Sequence, residues 1–321
     1  MTVTQGNTMT VTPTREYKEV FVTHLSNGTP LSLPIHTIKG AKEGPVLGIS
    51  ALIHGDEIIG AEIIRRVYNR IDEEKLSGVL ILLPVSNPLA FESMTRNTPL
   101  DMNNLNRVFP GDKNGWVTEQ LAHSIVENLL DQIDVYIDLH AGGSAPMVDY
   151  VYIQNNEELS RAFNFPILYR PSHPYEGTTA TYTTTKGIPS ITVEVGGGPN
   201  NDKDIERGVE GILNVMRKLK MLPGTVTPPP KQMVMTEIAI LRPTQGGIMV
   251  PEFDFSSVGT VIEGKQVLSR TYNPRTFEEI EVIYAPFEKN VVILTRGLFN
   301  KVSPGDYGFM LGNLDSAEEN Q

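Results

Sequence analysis

The chain of 321 residues has no cysteine. That excludes disulfides, thiol nucleophiles, cysteine-ligated zinc and iron–sulfur clusters. No run of about eighteen apolar residues occurs, so no transmembrane helix is expected. The opening stretch, "MTVTQGNTMTVTPTREY", lacks both a basic segment and an apolar core. It reads as a disordered tail over 1–15 rather than a signal peptide. A cytoplasmic protein without membrane attachment is the expectation. A basic stripe is also missing: 27 Lys and Arg stand against 38 Asp and Glu, for a net charge of −11. Nucleic acid is therefore not an expected partner, and the acid excess serves solubility.

The rest is ordinary for a globular protein, with 40% hydrophobic and 20% charged residues. Residues 17–38 hold an Asn-Gly pair between two alternating runs, which predicts a hairpin. "GPVLGISALI" (44–53) and "GVLILLPVSNP" (78–88) read as strands buried on both faces. Between them, Ile59, Ile63, Val67 and Ile71 mark one face of a helix. A second helix carries Val117, Leu121, Ile125, Leu129 and Ile133 at four-residue steps, and a third carries Ile205, Val209, Ile212, Met216 and Leu219. Further strands are expected over 134–140 and 190–195. Buried strands alternating with amphipathic helices predict a mixed, largely parallel sheet with helices on both faces, an α/β catalytic domain over 16–222. The proline-rich segment 223–232 reads as a linker. From 233 to 314 only short β-like runs separated by turns are seen, which predicts a small all-β domain, with a tail over 315–321.

Three polar features fall at predicted strand ends. "HGDE" (54–57) follows the first buried strand, His140 ends "DVYIDLH", and Glu194 lies late in "SITVEV". In open α/β sheets, ligands gather beyond the carboxyl ends of the strands. Two histidines and a carboxylate, His54, Glu57 and His140, make a set that suits catalytic zinc with one position left for water. Glu194, outside that set, suits a general base. Each residue alone has a plainer reading. A histidine at a strand end is often a hydrogen-bonded structural residue, and Asp56 or Glu57 also suits a helix N-terminus. The joint placement is what points to a site. The long polar loop 87–111 adds Arg96, Asn106 and Arg107. Arginine forks bind carboxylates, and an arginine beside a metal can steady a developing oxyanion.

"HGDE", "NLNRVFPG" (104–111), "DLHAGG" (138–143) and "VEVGGG" (193–198), in this order, resemble the succinylglutamate desuccinylase/aspartoacylase family, which is related to the zinc carboxypeptidases. The resemblance covers roughly 40–220. It implies a zinc carboxypeptidase-like core and one Zn2+ per chain held by His54, Glu57 and His140. It also implies Glu194 as base and later acid, Arg96 polarising the scissile carbonyl, and Asn106 with Arg107 holding a substrate carboxylate. The related carboxypeptidases have an acid two residues before the Asn-Arg pair, where this chain has Asn104; Asp138, two residues before His140, is a candidate substitute. The C-terminal β region resembles a biotinyl/lipoyl-like half-barrel. Lys289 has no neighbouring methionine as carrier lysines do, so a structural role is expected.

The function these features suggest is zinc-dependent deacylation of a small, carboxylate-bearing N-acyl amino acid or related compound. A carboxypeptidase-like peptidase on short peptides remains open, as does a metal-binding or carrier module without turnover. Glu194 weighs against the module, because a structural zinc site fills its fourth position with protein. A homo-oligomer is compatible with all three. The segment 170–187 offers Arg170, His173, Tyr175, Glu176 and Tyr182 as specificity contacts.

Overall fold

The computed structural model describes residues 12–198, 202–227 and 231–319. The hairpin forms from Thr14–His24 (β1) and Pro30–Lys39 (β2), antiparallel from Thr14↔Lys39 to His24↔Pro30. Residues 1–11 of the expected tail lie outside the described residues, whereas Thr14 and Arg15 already belong to β1. Arg15 holds that end down, pairing with Glu73 at 2.8 Å and donating to the Tyr68 carbonyl.

The chain continues through Lys42–Ala51 (β3), Ile59–Arg70 (α1), Ser77–Leu83 (β4), Pro88–Ser93 (α2), Val117–Asn128 (α3) and Val135–His140 (β5). Then follow Tyr150–Ile153 (β6), Glu157–Ala162 (α4), Ile167–Tyr169 (β7), Thr179–Thr185 (α5), Ser190–Glu194 (β8), Asp202–Lys218 (α6) and Met233–Met235 (β9). One ten-stranded sheet runs β1-β2-β4-β3-β5-β8-β6-β7-β9 and ends on Glu318–Glu319. Its centre, β4-β3-β5-β8, is parallel, β6 lies antiparallel to β8, and β6-β7-β9 are parallel again. The fold is thus mixed α/β with a large, mostly parallel sheet.

Period-two alternation sorts the two faces. Ile49, Ile137, Leu139, Ile191 and Val193 point to one face and join a core with Ile63 and Val67 of α1 and Val209, Ile212 and Met216 of α6. The opposite face packs Tyr136 and Leu83 against Leu121 and Ile125 of α3. Helix α3 stops at Asn128, short of the expected run; a 3-10 turn over Leu130–Gln132 follows, and Leu129 and Ile133 stay buried. The loop expected over 87–111 contains a helix, α2. It starts because the Asn87 side chain accepts from the Ala90 amide and Pro88 sits at the first position.

The C-terminal part forms two four-stranded antiparallel sheets. One contains Lys289–Thr295 between Phe309–Asn313 and Val261–Glu263; the other contains Gly247–Pro251 between Val267–Tyr272 and Asn300–Val302. Met249, Leu268, Val292, Phe309 and Leu311 fill the space between them. Pro228–Pro230 of the expected linker lie outside the described residues. β9 and Glu318–Glu319 pair within the main sheet, so both ends of the C-terminal part are tied to it. Lys289 opens a strand and pairs with Asp315 at 3.1 Å. No helix among the described residues is long and apolar enough to cross a membrane.

Candidate active site

The strands β3, β5 and β8 are neighbours and parallel, so their carboxyl ends share one edge. His140 and Glu194 are the last residues of β5 and β8 and lie directly opposite each other in register. His54 and Glu57 come from the turn after β3. Leu52 enters that turn with φ of 55°, a left-handed conformation that a leucine adopts only where surrounding structure enforces it. Gly55 then passes so close to α2 that a Cβ would lie 2.0 Å from the Ala90 carbonyl. Only glycine fits there, and its amide donates to the Thr95 carbonyl at 2.8 Å. "HGDE" therefore carries two kinds of requirement: side chains at 54 and 57, and a bare backbone at 55.

His54, Glu57 and His140 are buried and converge, with one ligand atom from each within 4.8 Å of the others. The Glu57 carboxylate lies between the rings, Oε1 at 2.7 Å from His54 Nδ1 and Oε2 at 2.9 Å from His140 Nδ1. Each outer nitrogen has its own acceptor. His54 Nε2 is 3.2 Å from Asn104 Oδ1, and His140 Nε2 is 3.1 Å from Asp138 Oδ2. Asp138 therefore does not replace Asn104; each serves a different histidine. Asp138 is itself fixed by Ser50 Oγ at 2.9 Å and Thr179 Oγ1 at 2.6 Å.

The electrostatics follow from this packing. Burial lowers His54 to about 4 against the opposing pull of Glu57, so its ring is neutral at pH 7. Burial works against the charge on Glu57, but the two rings outweigh it and hold the carboxyl well below the usual range. For His140 burial also opposes charge, yet Asp138 and Glu57 on either side raise it well above an ordinary histidine. A neutral His54 has one ring hydrogen. If Nε2 donates it to Asn104, a lone pair on Nδ1 faces a carboxylate oxygen at 2.7 Å. Such a pair calls for a cation. Here Arg96 Nη1 reaches both atoms at 3.2 Å. Two imidazole nitrogens, each oriented from behind, and a carboxylate fit a divalent zinc-type ion.

A pocket opens over this cluster, lined by Arg96, Asn106, Arg107 and Glu194 and, from the C-terminal part, by Ile240, Leu294, Arg296, Tyr307 and Met310. Burial pushes the Glu194 carboxyl up to about 7, with His140 opposing and Glu57 adding to the rise. Asn106 faces inward: its Oδ1 accepts from the Thr179 amide at 3.1 Å, and its Nδ2 is 3.2 Å from His140 Nε2. The Arg107 guanidinium stacks 4.9 Å from the Tyr175 ring and has no acidic partner among the described residues. Behind Glu194, the buried Asp149 carboxylate accepts from the Gly196 amide at 2.8 Å and pairs with Arg207 at 2.6 Å. This pins the glycine turn that follows Glu194.

All seven residues singled out from the sequence thus line one pocket. Of the five side chains proposed from 170–187, Tyr175 alone lines it. Arg170 is paired with Glu157 and Glu318, Tyr182 donates to Asp131, and His173 contacts Ser172. Missed from the sequence were Tyr152, Gln154, Thr192, Arg296 and Tyr307. Thr192 was within reach, since alternation in "SITVE" puts it on the face of Glu194. The other four carry no local signal.

Residues 43–219 match the family model described as the succinylglutamate desuccinylase/aspartoacylase catalytic domain. The chain is 30% identical over 198 residues to the N-alpha-acetyl-L-2,4-diaminobutyric acid deacetylase of Halomonas elongata. That match covers 56% of this chain and 57% of the relative, so a little over half of that protein's length is spanned. Among solved structures, an aspartoacylase family protein from Mesorhizobium loti superposes with a TM-score of 0.78 at 26% identity, covering 94% of this chain and 95% of that one. An ectoine utilization protein from Ruegeria pomeroyi, in a product-bound structure, gives 0.80 at 24% identity over 94% and 95%. These fold likenesses extend over the C-terminal sheets as well as the matched core. The chain belongs to the succinylglutamate desuccinylase/aspartoacylase family.

Proposed function

We propose that this chain is a zinc-dependent deacylase that hydrolyses the amide bond of a small N-acyl amino acid or related compound. The observation that carries the reading is the convergence of two Nδ1 atoms and the Glu57 carboxylate in a pocket that also holds a buried glutamate outside the ligand set. His54, Glu57 and His140 would hold one zinc per chain. When bound, such an ion supplies Lewis acidity, which polarises a carbonyl and acidifies water.

The chain's own groups do the rest. Glu194 takes a proton from the attacking water as the new C–O bond forms. It returns that proton to the amine nitrogen as the C–N bond breaks. Arg96, beside Glu57, is placed to share the charge that develops on the carbonyl oxygen. Arg107, without an acidic partner among the described residues, would hold a substrate carboxylate. Asn106 spends only its Oδ1, on the Thr179 amide at the start of α5; its Nδ2 hydrogens, which His140 Nε2–H cannot accept, are left for the same substrate carboxylate. The open pocket favours this reading over a metal-binding module. The test is a screen of N-acetyl, N-formyl and N-succinyl amino acids and short peptides against zinc-loaded protein, with amine release as readout. Cleavage of peptides alone would favour the peptidase.

Two further results are expected. Asp138→Asn keeps the shape but removes the charge behind His140; zinc affinity should drop about 10- to 100-fold, as measured by chelator competition. Unchanged affinity would remove Asp138 from the site. The pH profile of kcat/KM should have an acid limb set by Glu194, because the base works only when deprotonated. Its carboxyl lies at about 7 in the metal-free site, and a bound cation favours the anion and moves the limb lower. Activity should therefore fall as pH drops through a value below 7, and the limb should vanish in Glu194→Gln. A limb that persists in that variant belongs to another group.

A further inference from the structure

We infer that the pocket contains a charge-free subsite for the side chain of the leaving amino acid, built by Tyr152, Gln154, Thr192 and Ala180 with Pro171 and Tyr175, and that the amino acids released are uncharged ones such as glutamine or methionine. This rests on the deacylase reading of the same site.

The placement follows from sheet register. β6 and β8 are antiparallel with Tyr150 opposite Glu194 and Tyr152 opposite Thr192. Side chains alternate along a strand, so Thr192 shares the face of Glu194, and Tyr152 and Gln154 share the face of Tyr150. Gln154 Nε2 donates to Thr192 Oγ1 at 3.3 Å, which closes the far end of this wall. At about 3.3 Å of rise per residue, the Tyr152–Thr192 pair lies about 7 Å back along the sheet from the base. That is room for a side chain of a few heavy atoms. Ala180 of α5 and the 171–175 segment complete the surround.

An amino acid leaving group has three points to satisfy. Its nitrogen must sit beside Glu194, which protonates it. Its carboxylate goes to Arg107, which reaches this region by stacking on Tyr175. The side chain is then left to the wall behind Glu194. Every other ionisable lining residue apart from the tyrosines comes from elsewhere: the turn after β3, the loop holding Arg96 and Arg107, His140, and Arg296. Among the described residues the wall itself offers an amide, hydroxyls and apolar surface but no charged side chain; the one cation against it, Arg107 on Tyr175, is taken up by the substrate's own carboxylate. An ionised side chain would lose its hydration there without a partner, whereas an amide or thioether would not.

Binding of the free amino acids to zinc-loaded protein, followed by calorimetry, tests this without requiring turnover. L-glutamine and L-methionine should bind at least about tenfold more tightly than L-glutamate and L-lysine, and kcat/KM for their N-acetyl forms should follow the same order by about 100-fold. Gln154→Arg, at a partly exposed position just after β6, should raise the glutamate-to-glutamine ratio at least about tenfold by supplying the missing charge. Equal or tighter binding of glutamate or lysine, no binding of any of the four up to millimolar concentration, or a ratio unmoved in Gln154→Arg would each overturn the subsite. A preference for neutral amino acids without turnover of any N-acyl form would leave the subsite standing and remove the deacylase reading.

Discussion

Glu194→Gln is expected to keep its fold and its zinc while losing about 10²- to 10⁴-fold in kcat, the usual worth of a positioned base. The amide keeps the volume of the carboxyl and most of its contacts but cannot take a proton from water. Nothing in the candidate metal site depends on it, since the ligand atoms proposed for it come from 54, 57 and 140. Its position is held from outside the cluster by the β5–β8 register and by the Asp149 clamp on Gly196. The comparison variant is Glu57→Gln. There the anionic group between the two rings becomes a neutral, weaker ligand, so metal should be lost first and added zinc should restore part of the activity. Zinc content and turnover measured on both variants separate the roles. A Glu194→Gln protein with near-normal kcat would leave the mechanism without its base.

The double variant His54→Ala/His140→Ala should retain almost no zinc, against about one ion per chain in the parent. Elemental analysis after dialysis reads this directly. The substitutions also leave Glu57 and Asp138 buried with their histidine partners gone, which costs stability in its own right. For that reason the single variant His54→Ala belongs beside it. His54 is neutral in the metal-free protein, so its removal strands less charge, and circular dichroism should show a native fold with weakened zinc binding. Full metal content in the double variant would place the ion elsewhere and undo the site.

Much of this site was legible in the sequence because strand ends in an α/β chain are local events. The apolar runs before His54, His140 and Glu194 mark strands by their composition, and the polar residue that ends each run stands out against it. The helical faces were legible for the same reason: Ile59, Ile63, Val67 and Ile71 repeat at a spacing that only a helix turns into one buried stripe. Even Gly55 sits in a motif whose spacing was visible, although the sequence does not say that Ala90 presses against it.

Tertiary structure alone decided the rest, because it depends on which strands become neighbours. That β3, β5 and β8 lie side by side turns three separate strand ends into one pocket floor. That β6 runs antiparallel beside β8 brings Tyr152 and Gln154 behind Glu194, from a stretch too short in its elements to show a period. Arg296 and Tyr307 reach the pocket from more than 100 positions beyond Glu194, carried there by a sheet tied to the core at Met233–Met235 and Glu318–Glu319. Asn104 and Asp138, both two positions from a residue already singled out, looked interchangeable in the sequence. The fold assigns one to each histidine, since the direction of a ring nitrogen is set by the backbone that carries the ring and not by its distance along the chain.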